Sequence, residues 1–392
     1  MPFRKERTMP ETNQSRKDAL LEIASVFLRL GIFAFGGPAA HIAMMDDEVV
    51  KKRKWLTREH FVDLIGATNL IPGPNSTELA IHLGMERAGV PGLFVAGACF
   101  ILPAMLIVMA VAALYAKYGV LPQVDSIMYG VKPVIIAIIA LAVVRLWKTA
   151  VKGWPGILAA VAVIAGSLAG LSEIPMLFAT GALYTLWSNR GHIKNGGPIL
   201  PSVLPMFALS LPLQSETRLA MGASGLFLTF LKIGSVLYGS GYVLVAFLET
   251  EFVQRAILTQ KQLLDAVAVG QFTPGPVFTT ATFIGYLISG VPGALTSTLG
   301  IFLPAFLLVW LLNPVIPKLR ASKWAAAALN GINAASLGLM AAVVFKLAIS
   351  TLDGLLPIAI FALSLGVLWK FKLNSAFVII AGGLIGWLAS LI

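Results

Sequence analysis

The chain is poor in charge, in histidine and in cysteine. Only 12% of its 392 residues are charged, and it has four histidines and one cysteine. A soluble domain needs a largely polar surface, so this little charge beside 58% apolar residues excludes an ordinary soluble enzyme. The lone Cys99 excludes an intramolecular disulfide, and the isolated His41 and His82 lack the closely spaced partners of a metal site.

Sequence motifs for catalysis are also missing. We find no HExxH zinc motif, no GxSxG nucleophile elbow and no Walker A loop. We therefore predict that the protein is not an enzyme and that it uses no metal or other cofactor. An intramembrane enzyme and a membrane scaffold without transport activity are the alternatives from other functional classes.

Long apolar runs dominate what the chain does contain. Each is about long enough to cross a hydrocarbon core of ~30 Å as a helix, and they recur as far as the C-terminus. They predict an all-α polytopic membrane protein that is embedded in a lipid bilayer. The candidate segments are 23–45, 61–83, 92–116, 130–148, 155–171, 174–188, 198–213, 223–247, 262–287, 291–312, 325–348, 355–369 and 373–391.

The net charge of +11 has a membrane explanation. The Lys and Arg residues cluster in loops, as the positive-inside rule predicts for cytoplasmic loops, so we expect no nucleic-acid partner. Residues 1–18 are polar and basic and predict a cytoplasmic tail. The first apolar segment carries Arg29 and lacks a small-residue cleavage site, so it does not resemble a signal peptide.

Internal similarity divides the chain into two copies of one repeat. We predict a tail (1–18), a first repeat (19–190), a connecting segment with an extra membrane crossing (191–221) and a second repeat (222–392). The matched segments are FLRLG at 27–31 with FLKIG at 230–234, PGP at 72–74 and 274–276, GVPG at 89–92 and 290–293, and ILPA at 101–104 with FLPA at 302–305.

The charges of corresponding loops predict that the two repeats have opposite orientations. Loop 46–60 is strongly basic, whereas its counterpart 249–262 balances its basic residues with acids. The bias reverses at the next pair of loops, where Lys117 corresponds to three basic residues between 318 and 323. Inverted insertion predicts this alternation.

The basic tail and the basic loop 46–60 also predict that the first segment turns back inside the membrane. Both look cytoplasmic although segment 23–45 lies between them, and Gly36-Gly37-Pro38 is near its middle. Segment 61–83 has PGP at its centre. We interpret both as broken or re-entrant helices that line a cavity. A proline-kinked helix that crosses the membrane is the alternative.

The broken helices are the predicted substrate-binding site. The second half of a broken helix exposes N–H groups and a partial positive charge, which together bind anions. The breaks occur in symmetric pairs, so four half-helix ends are expected to meet at one site. The predicted residues are Gly36, Gly37, Pro38, Pro72, Gly73, Pro74, Asn75, Ser76 and Thr77, and in the second repeat Gly239, Ser240, Gly241, Pro274, Gly275, Pro276 and Thr279.

Three ionisable residues near the breaks extend this site. Arg29 and Lys232 occupy equivalent positions inside apolar segments, so we expect them to face the anion, unless they extend to the two membrane surfaces instead. Glu78 has no acidic counterpart, because Thr280 aligns with it. It either binds a coupling proton or only caps the half-helix. Asp265 lies near a segment end, where we expect a cap or a loop pair.

These motifs resemble the chromate ion transporter family in its two-domain long form. FGGP, the basic loop with Glu48 and Trp55-Leu56-Thr57, PGPNS and the weaker second copies YGSGY and FTPGP carry the resemblance, which covers about 20–390. The second copy has Ser240 and Gly241 where the first has Gly37 and Pro38, so the two half-sites are unequal. The resemblance implies two halves in opposite orientation, a multi-pass protein of the bacterial inner membrane and export of chromate.

The expected function is therefore secondary transport of chromate, a tetrahedral oxyanion. Export by alternating access, driven by the membrane potential or a proton gradient, is the hypothesis that we carry forward. Transport of sulfate or another small anion, by uptake or antiport, is the alternative. A homodimer is compatible with the sequence.

Overall fold

The computed structural model describes residues 13–119, 121–190, 222–238, 241–371 and 373–391, and none of these residues lies in a strand. The helices are α1 (Asn13–Phe33), α2 (Gly37–Met45), α3 (Arg58–Thr68), α4 (Asn75–Tyr118), α5 (Pro122–Ala150), α6 (Gly153–Leu168), α7 (Glu173–Ser188), α8 (Ala223–Val236), α9 (Leu244–Leu248), α10 (Gln260–Phe272), α11 (Thr280–Leu312), α12 (Ile316–Ala321), α13 (Lys323–Thr351), α14 (Leu355–Phe371) and α15 (Ser375–Ala389). The predicted tail up to residue 12, the connecting segment 191–221, Gly239 and Ser240 lie outside the described residues.

The helices confirm a polytopic membrane protein. Within the described residues, α4, α5, α13 and the stretch Val277–Leu312 that contains α11 are long and apolar enough to cross a membrane. Four shorter apolar helices (α6, α8, α14 and α15) accompany them. Most ends of the predicted segments lie within a few residues of an end of these helices. The agreement arises because the apolar runs in the sequence end at Gly, Pro or charged residues.

Both α4 and α11 contain a sharp turn. In α4, Ala88 and Gly89 leave helical geometry, with φ of −142° and +66°. Gly84 lies directly against Gly92 as a result, whereas a straight helix would separate them by about 12 Å. Only glycine adopts the positive φ at this turn easily. Ser289–Gly290 form the same turn in α11.

Each turn separates a short arm from a long one. The first arm of α4 is 75–88 and its second arm is 89–118; the corresponding arms of α11 are 280–289 and 290–312. At 1.5 Å per residue the second arm of α4 is about 45 Å long, enough to cross the membrane. The first arms are only about 21 Å and 15 Å long, too short to cross it.

The chain turns back between α1 and α2. Arg29 of α1 forms an ion pair with Glu48, which follows α2. Glu22, two turns earlier, lies 3.0 Å from Arg53. A straight membrane crossing would place Glu22 and Arg53 about 45 Å apart. The segments therefore form a re-entrant hairpin, which we call hairpin A, with its tip at the FGGP break.

The next segment turns back in the same way. His60 near the start of α3 lies 3.4 Å from Glu86 at the end of the first arm of α4. Asn75 donates a hydrogen bond of 2.8 Å to Asn69 beside the PGP break. We call α3 and the first arm of α4 hairpin B, with its tip at the PGP break. Hairpins A and B confirm the re-entrant interpretation over a proline-kinked crossing.

The second repeat forms two corresponding hairpins. In hairpin C, made by α8 and α9, Lys232 lies 2.6 Å from Glu251 across the break. In hairpin D, made by α10 and the first arm of α11, Gly270 lies directly against Thr280. The ion pairs Arg29–Glu48 and Lys232–Glu251 are therefore equivalent.

The hairpins of the two repeats open on opposite faces of the molecule. Hairpins A and B end beside Arg87, next to Gly89, where the second arm of α4 begins. That arm ends at Tyr118, and Asp125 in the first turn of α5 pairs with Lys261 at the open end of hairpin D. The two repeats are thus inverted, as the loop charges predict. We call the face on which hairpins A and B open the basic face.

The last helices of the two repeats are exchanged. α5 of the first repeat packs against α14 and α15 of the second, and α13 of the second packs against α6 and α7 of the first. Glycines permit both close approaches. Gly130 lies directly against Gly382, and a methyl group at Gly331 would lie 2.7 Å from Tyr184 Cβ.

Candidate functional site

Two backbone hydrogen bonds join the hairpin tips at the centre of the molecule. The N–H of Gly73 in hairpin B donates to the carbonyl of Leu237 in hairpin C, over 2.8 Å. The N–H of Gly275 in hairpin D donates to the carbonyl of Ala34 in hairpin A, over 2.9 Å. Each bond therefore joins the tip of a hairpin in one repeat to the tip of a hairpin in the other.

The FGGP break ends hairpin A with an uncapped helix N-terminus. Gly36 and Gly37 have φ of +108° and +75°, values that glycine adopts without strain. Pro38 occupies the first turn of α2, and no side chain caps this end. N–H groups in a first helical turn have no intrahelical acceptor, so they remain available to a ligand.

The PGP break of hairpin B has similar geometry. Pro72, Gly73 and Pro74 separate α3 from α4, which begins at Asn75 without a side-chain cap. Gly73 has a φ of +139°. The Asn75 amide bonds to Asn69, and both side chains are partly or fully exposed at this tip. The first turn of α4 is thus a second helix N-terminus at the junction.

The tips of the second repeat differ in detail. Gly275 has a φ of +82° between Pro274 and Pro276, and Gly241 begins a short 3₁₀ turn. Thr279 donates its hydroxyl proton to the Pro276 carbonyl over 2.8 Å. Its hydroxyl has only one proton, so it has no proton left for an anion.

A histidine connects two tips of the first repeat. His41 lies in α2 with Nε2 3.1 Å from the Ala34 carbonyl and Nδ1 3.3 Å from Ser76 Oγ. A carbonyl only accepts, so Nε2 carries the proton and Nδ1 accepts from the serine hydroxyl. Ala34 also accepts from Gly275, and the contact therefore joins hairpins A, B and D. The sequence left His41 isolated, because its partner is on another hairpin.

Glu78 is the least satisfied polar group of the site. It is fully buried, and neither carboxylate oxygen has a hydrogen-bond partner among the described residues. The hydroxyl of Thr77 is also buried without a partner there. The carboxylate lies directly against Gly73, and Tyr238 of hairpin C is within electrostatic range. A buried, unpartnered carboxyl is costly, which points to a ligand or proton that satisfies it.

Arg29 and Lys232 lie apart from the tips. Arg29 precedes the FGGP break by about 10 Å along α1 and pairs with Glu48. Lys232 pairs with Glu251 at 2.6 Å. A cavity of about 340 Å³ adjoins Arg29, Glu48 and Lys52. The two cations are thus held by carboxylates, and their contact with an anion stays a prediction.

Asp265 was expected to form a cap or a loop pair at a segment end, and this expectation is wrong. Its carboxylate is fully buried and accepts a 2.6 Å hydrogen bond from Tyr115. Lys132 lies 3.7 Å from its other oxygen. Both partners come from the first repeat, so no signal near Asp265 in the sequence indicates them.

The described residues contain no group of three metal-ligating side chains. The site consists instead of backbone N–H groups, two helix N-termini, small hydroxyls and one buried carboxyl. Such a set can bind and release an anion and can take up a proton. It contains the elements of a carrier site.

Known proteins resemble this chain over nearly its whole length. A model of the chromate transporter family matches residues 21–186 and again 224–387. The chain is 34% identical to a chromate transport protein of Cupriavidus metallidurans over 94% of this chain and 93% of that one. It is 30% identical to a probable chromate transport protein of Synechococcus elongatus (94% and 95%) and 31% identical to a chromate transport protein of Pseudomonas aeruginosa (92% and 90%). No solved structure matches. The chain is therefore a multi-pass bacterial membrane protein that belongs to the chromate transporter family.

Proposed function

We propose that this protein is a secondary transporter that exports chromate from the cytoplasm by alternating access. The observation that carries the proposal is the junction of four half-helix tips from two inverted repeats, joined by the bonds Gly73–Leu237 and Gly275–Ala34. The names of the relatives, chromate transport proteins, supply the cargo. By the positive-inside rule the basic face is the cytoplasmic side.

The helix N-termini at Gly37 and Asn75 would hold the oxyanion. Each end carries roughly half a positive charge and presents free N–H groups. Chromate has four oxygens in a tetrahedral arrangement, so donors from more than one tip can bind it together. In the low-dielectric interior these donors act strongly without adding a full charge to the membrane.

The membrane potential favours export. A dianion that leaves a cell with about 150 mV inside negative releases roughly 7 kcal/mol, at ~2.3 kcal/mol per charge per 100 mV. That free energy corresponds to about a 10⁵-fold concentration ratio. Export therefore needs neither ATP nor a coupling ion, whereas uptake needs co-transported positive charge.

Glu78 would add proton coupling to this carrier. Its carboxyl is the buried and unpartnered ionisable group at the tips, beside Gly73. A proton that binds there neutralises a charge next to the anion, so cargo and proton affect each other's affinity. Antiport or uptake then becomes possible as well as potential-driven export.

Sulfate or another small oxyanion is the second candidate cargo. It is favoured by the donor set itself, because backbone N–H groups recognise oxygens and do not discriminate well between tetrahedral dianions of similar size. The same carrier would then work with a different physiological anion.

Flux into reconstituted vesicles tests the proposal. We expect chromate movement to follow an imposed potential. We also expect sulfate to inhibit it to the extent that sulfate binds the same site. Vesicles without protein, and vesicles with the Gly275→Ala variant, are the matched controls. Chromate flux that is absent, or that ignores the potential at every pH, would overturn potential-driven export.

A further inference from the structure

Three ionisable side chains form a stripe along the first arm of α4. Glu78, His82 and Glu86 follow one another at intervals of four residues, which places them on one face of the helix. Each interval is about 6 Å along the helix axis. The stripe therefore connects the hairpin tips with the open end of hairpin B on the basic face.

The outer end of the stripe is accessible to water. The side chains of Glu86 and His60 are 40% and 46% exposed, and they lie 3.4 Å apart. The pair can exchange protons with the surrounding water. It is the entrance that a path from the basic face requires.

The middle and inner members are buried and carry polar atoms without hydrogen-bond partners among the described residues. His82 is 1% exposed, and its Nε2 has no hydrogen-bond partner among the described residues. Neither oxygen of Glu78 has a partner in the same part of the chain. A structural histidine in a core is normally hydrogen-bonded, so packing alone gives no reason for this nitrogen. An imidazole and a carboxyl with such unpartnered atoms, four residues apart on one helix, are suited to proton transfer between them.

Other charged and titratable groups lie near α4, and most of them have partners of their own. His41 bonds to Ala34 and Ser76. Arg87 pairs with Glu22 at 2.8 Å. Among the elements packed against α4, α1 carries Arg29, which pairs with Glu48, and α3 carries Asp63, which also has an interaction partner. In the second repeat, Asp265 bonds to Tyr115. The remaining titratable groups there are the phenols of Tyr238 in hairpin C and Tyr286 in α11.

The second repeat has no such stripe. Its corresponding stretch, 279–288, contains threonine, tyrosine and apolar residues but no carboxylate and no histidine. The backbone of hairpin D is otherwise built like that of hairpin B, with the same turn at Gly290. The stripe is therefore not needed to build the hairpin.

We propose that Glu86 with His60, His82 and Glu78 form a proton path from the basic face to the tips. A proton that one ring nitrogen of His82 takes up lets the other nitrogen release its own proton to the Glu78 carboxylate. The imidazole ends neutral and the carboxyl ends protonated. One water molecule or a side-chain rotation bridges each step. The path deepens the proposed function, because it supplies the coupling proton from the cytoplasmic side.

His82→Gln tests the path, since glutamine keeps a polar side chain but cannot relay a proton. In vesicles with an entrapped pH indicator, we expect proton movement during chromate flux to slow on the order of 100-fold. Chromate–chromate exchange, which needs no net proton transfer, should be unchanged. Glu78→Gln should remove the proton movement altogether. Thr282→Val is the matched control, because it removes a buried hydroxyl bonded to Thr298 in the second repeat.

A second measurement does not depend on the cargo. After a pH jump, infrared spectroscopy should show a protonated carboxyl band that is absent in Glu78→Gln and delayed in His82→Gln. If His82→Gln changes neither the band's rise nor the proton movement, the path is wrong. If the wild-type protein shows the band with normal kinetics but moves no chromate, the proposed cargo is wrong and the path stands. His82→Asn repeats the test should the glutamine variant fail to fold.

Discussion

The first arm after the PGP break carries Glu78 and His82 in the first repeat, whereas the corresponding stretch 279–288 of the second repeat carries neither a carboxylate nor a histidine. His41 likewise corresponds to Leu244. Yet the tips of both repeats make the same backbone hydrogen bonds, through Gly73 and Gly275. The repeat therefore preserves the scaffold on both sides, whereas the buried carboxyl and the histidine beside the tips lie in the first repeat only.

This difference separates two tasks. In the proposed transport cycle, a symmetric backbone lets the two inverted repeats exchange conformations, because each hairpin has an equivalent that opens on the opposite face. Proton binding needs only one buried carboxyl, and a second would add the cost of another unpaired charge inside the membrane. Substitutions at equivalent positions of the two repeats test whether the backbone and the ionisable groups have these separate roles.

The tip glycines should give the largest effects. At Gly275 (φ +82°) an added methyl group would lie 2.6 Å from Ala104 Cβ, which belongs to a packed helix. At Gly73 (φ +139°) it would meet the end of the Glu78 side chain, which can rotate away. Either alanine suffers backbone strain of about 1–2 kcal/mol. We expect Gly275→Ala to abolish chromate flux and lower the Tm more than Gly73→Ala.

Gly366→Ala is the control for the tip glycines, because this helical glycine has no neighbouring atom within 4 Å of the added methyl group. It should leave both flux and Tm unchanged. Combining Gly73→Ala with Glu78→Thr should recover part of the lost stability. Equal effects of the two tip substitutions would mean that the local surroundings do not matter.

The equivalent ion pairs should respond unequally to loss of their cation. Without Arg29, Glu48 keeps Lys52 at 2.8 Å and Arg53 at 3.6 Å. Without Lys232, Glu251 keeps only Arg255 at 3.1 Å among the described ion pairs. Because a buried carboxylate with fewer partners is costlier, we expect Lys232→Gln to reduce the free energy of unfolding by about 1–3 kcal/mol. Arg29→Gln should cost less than about 1 kcal/mol, since this side chain is 55% exposed.

Double variants then separate stability from anion binding. Lys232→Gln with Glu251→Gln should restore most of the stability, because neither charge is left unpaired. If Lys232 also binds the anion, flux stays low in the restored protein. Recovered flux would show that Lys232 is not part of the anion site. The equivalent double variant of Arg29 and Glu48 applies the same test to Arg29.

The helix caps of hairpins B and D should give the smallest effects. Thr259 forms a full capping box with Gln262, whereas Thr57 accepts only one bond, from the His60 N–H at 3.3 Å. We expect Thr259→Ala to cost about 1 kcal/mol and Thr57→Ala less, both within the usual range of N-cap substitutions. Chemical denaturation of the purified variants measures both. A larger cost at Thr57 would show that the open end of hairpin B is held mainly by its cap.

The sequence predicted the hairpins because glycine and proline mark the breaks and loop charges mark the faces. Gly36-Gly37-Pro38 interrupts a helix wherever it occurs, and an apolar segment between two basic loops has to turn back. These are local signals. They were sufficient to predict that the repeats are inverted and that the breaks lie close together.

Contacts between distant segments were not predictable in the same way. Tyr115 reaches Asp265 in the other repeat, and His41 reaches Ser76 in the next hairpin. Neither pair has a sequence spacing that indicates contact. The stripe of Glu78, His82 and Glu86 does have such a signal, its four-residue interval, but the interval becomes meaningful only when the arm is known to be a helix that reaches the surface.

The exchange of the last helices has a consequence for how the protein is made. α5 is covered by α14 and α15, which are synthesised more than 200 residues after it begins, and α13 is covered by α6 and α7. Until α14 and α15 have been synthesised, α5 lacks these two neighbours, and Gly130 on it has no helix packed against it. Two separately expressed pieces, ending at Ser188 and beginning at Ala223, would each present such an open face. Co-expressed in opposite orientations, they would be complementary partners of each other.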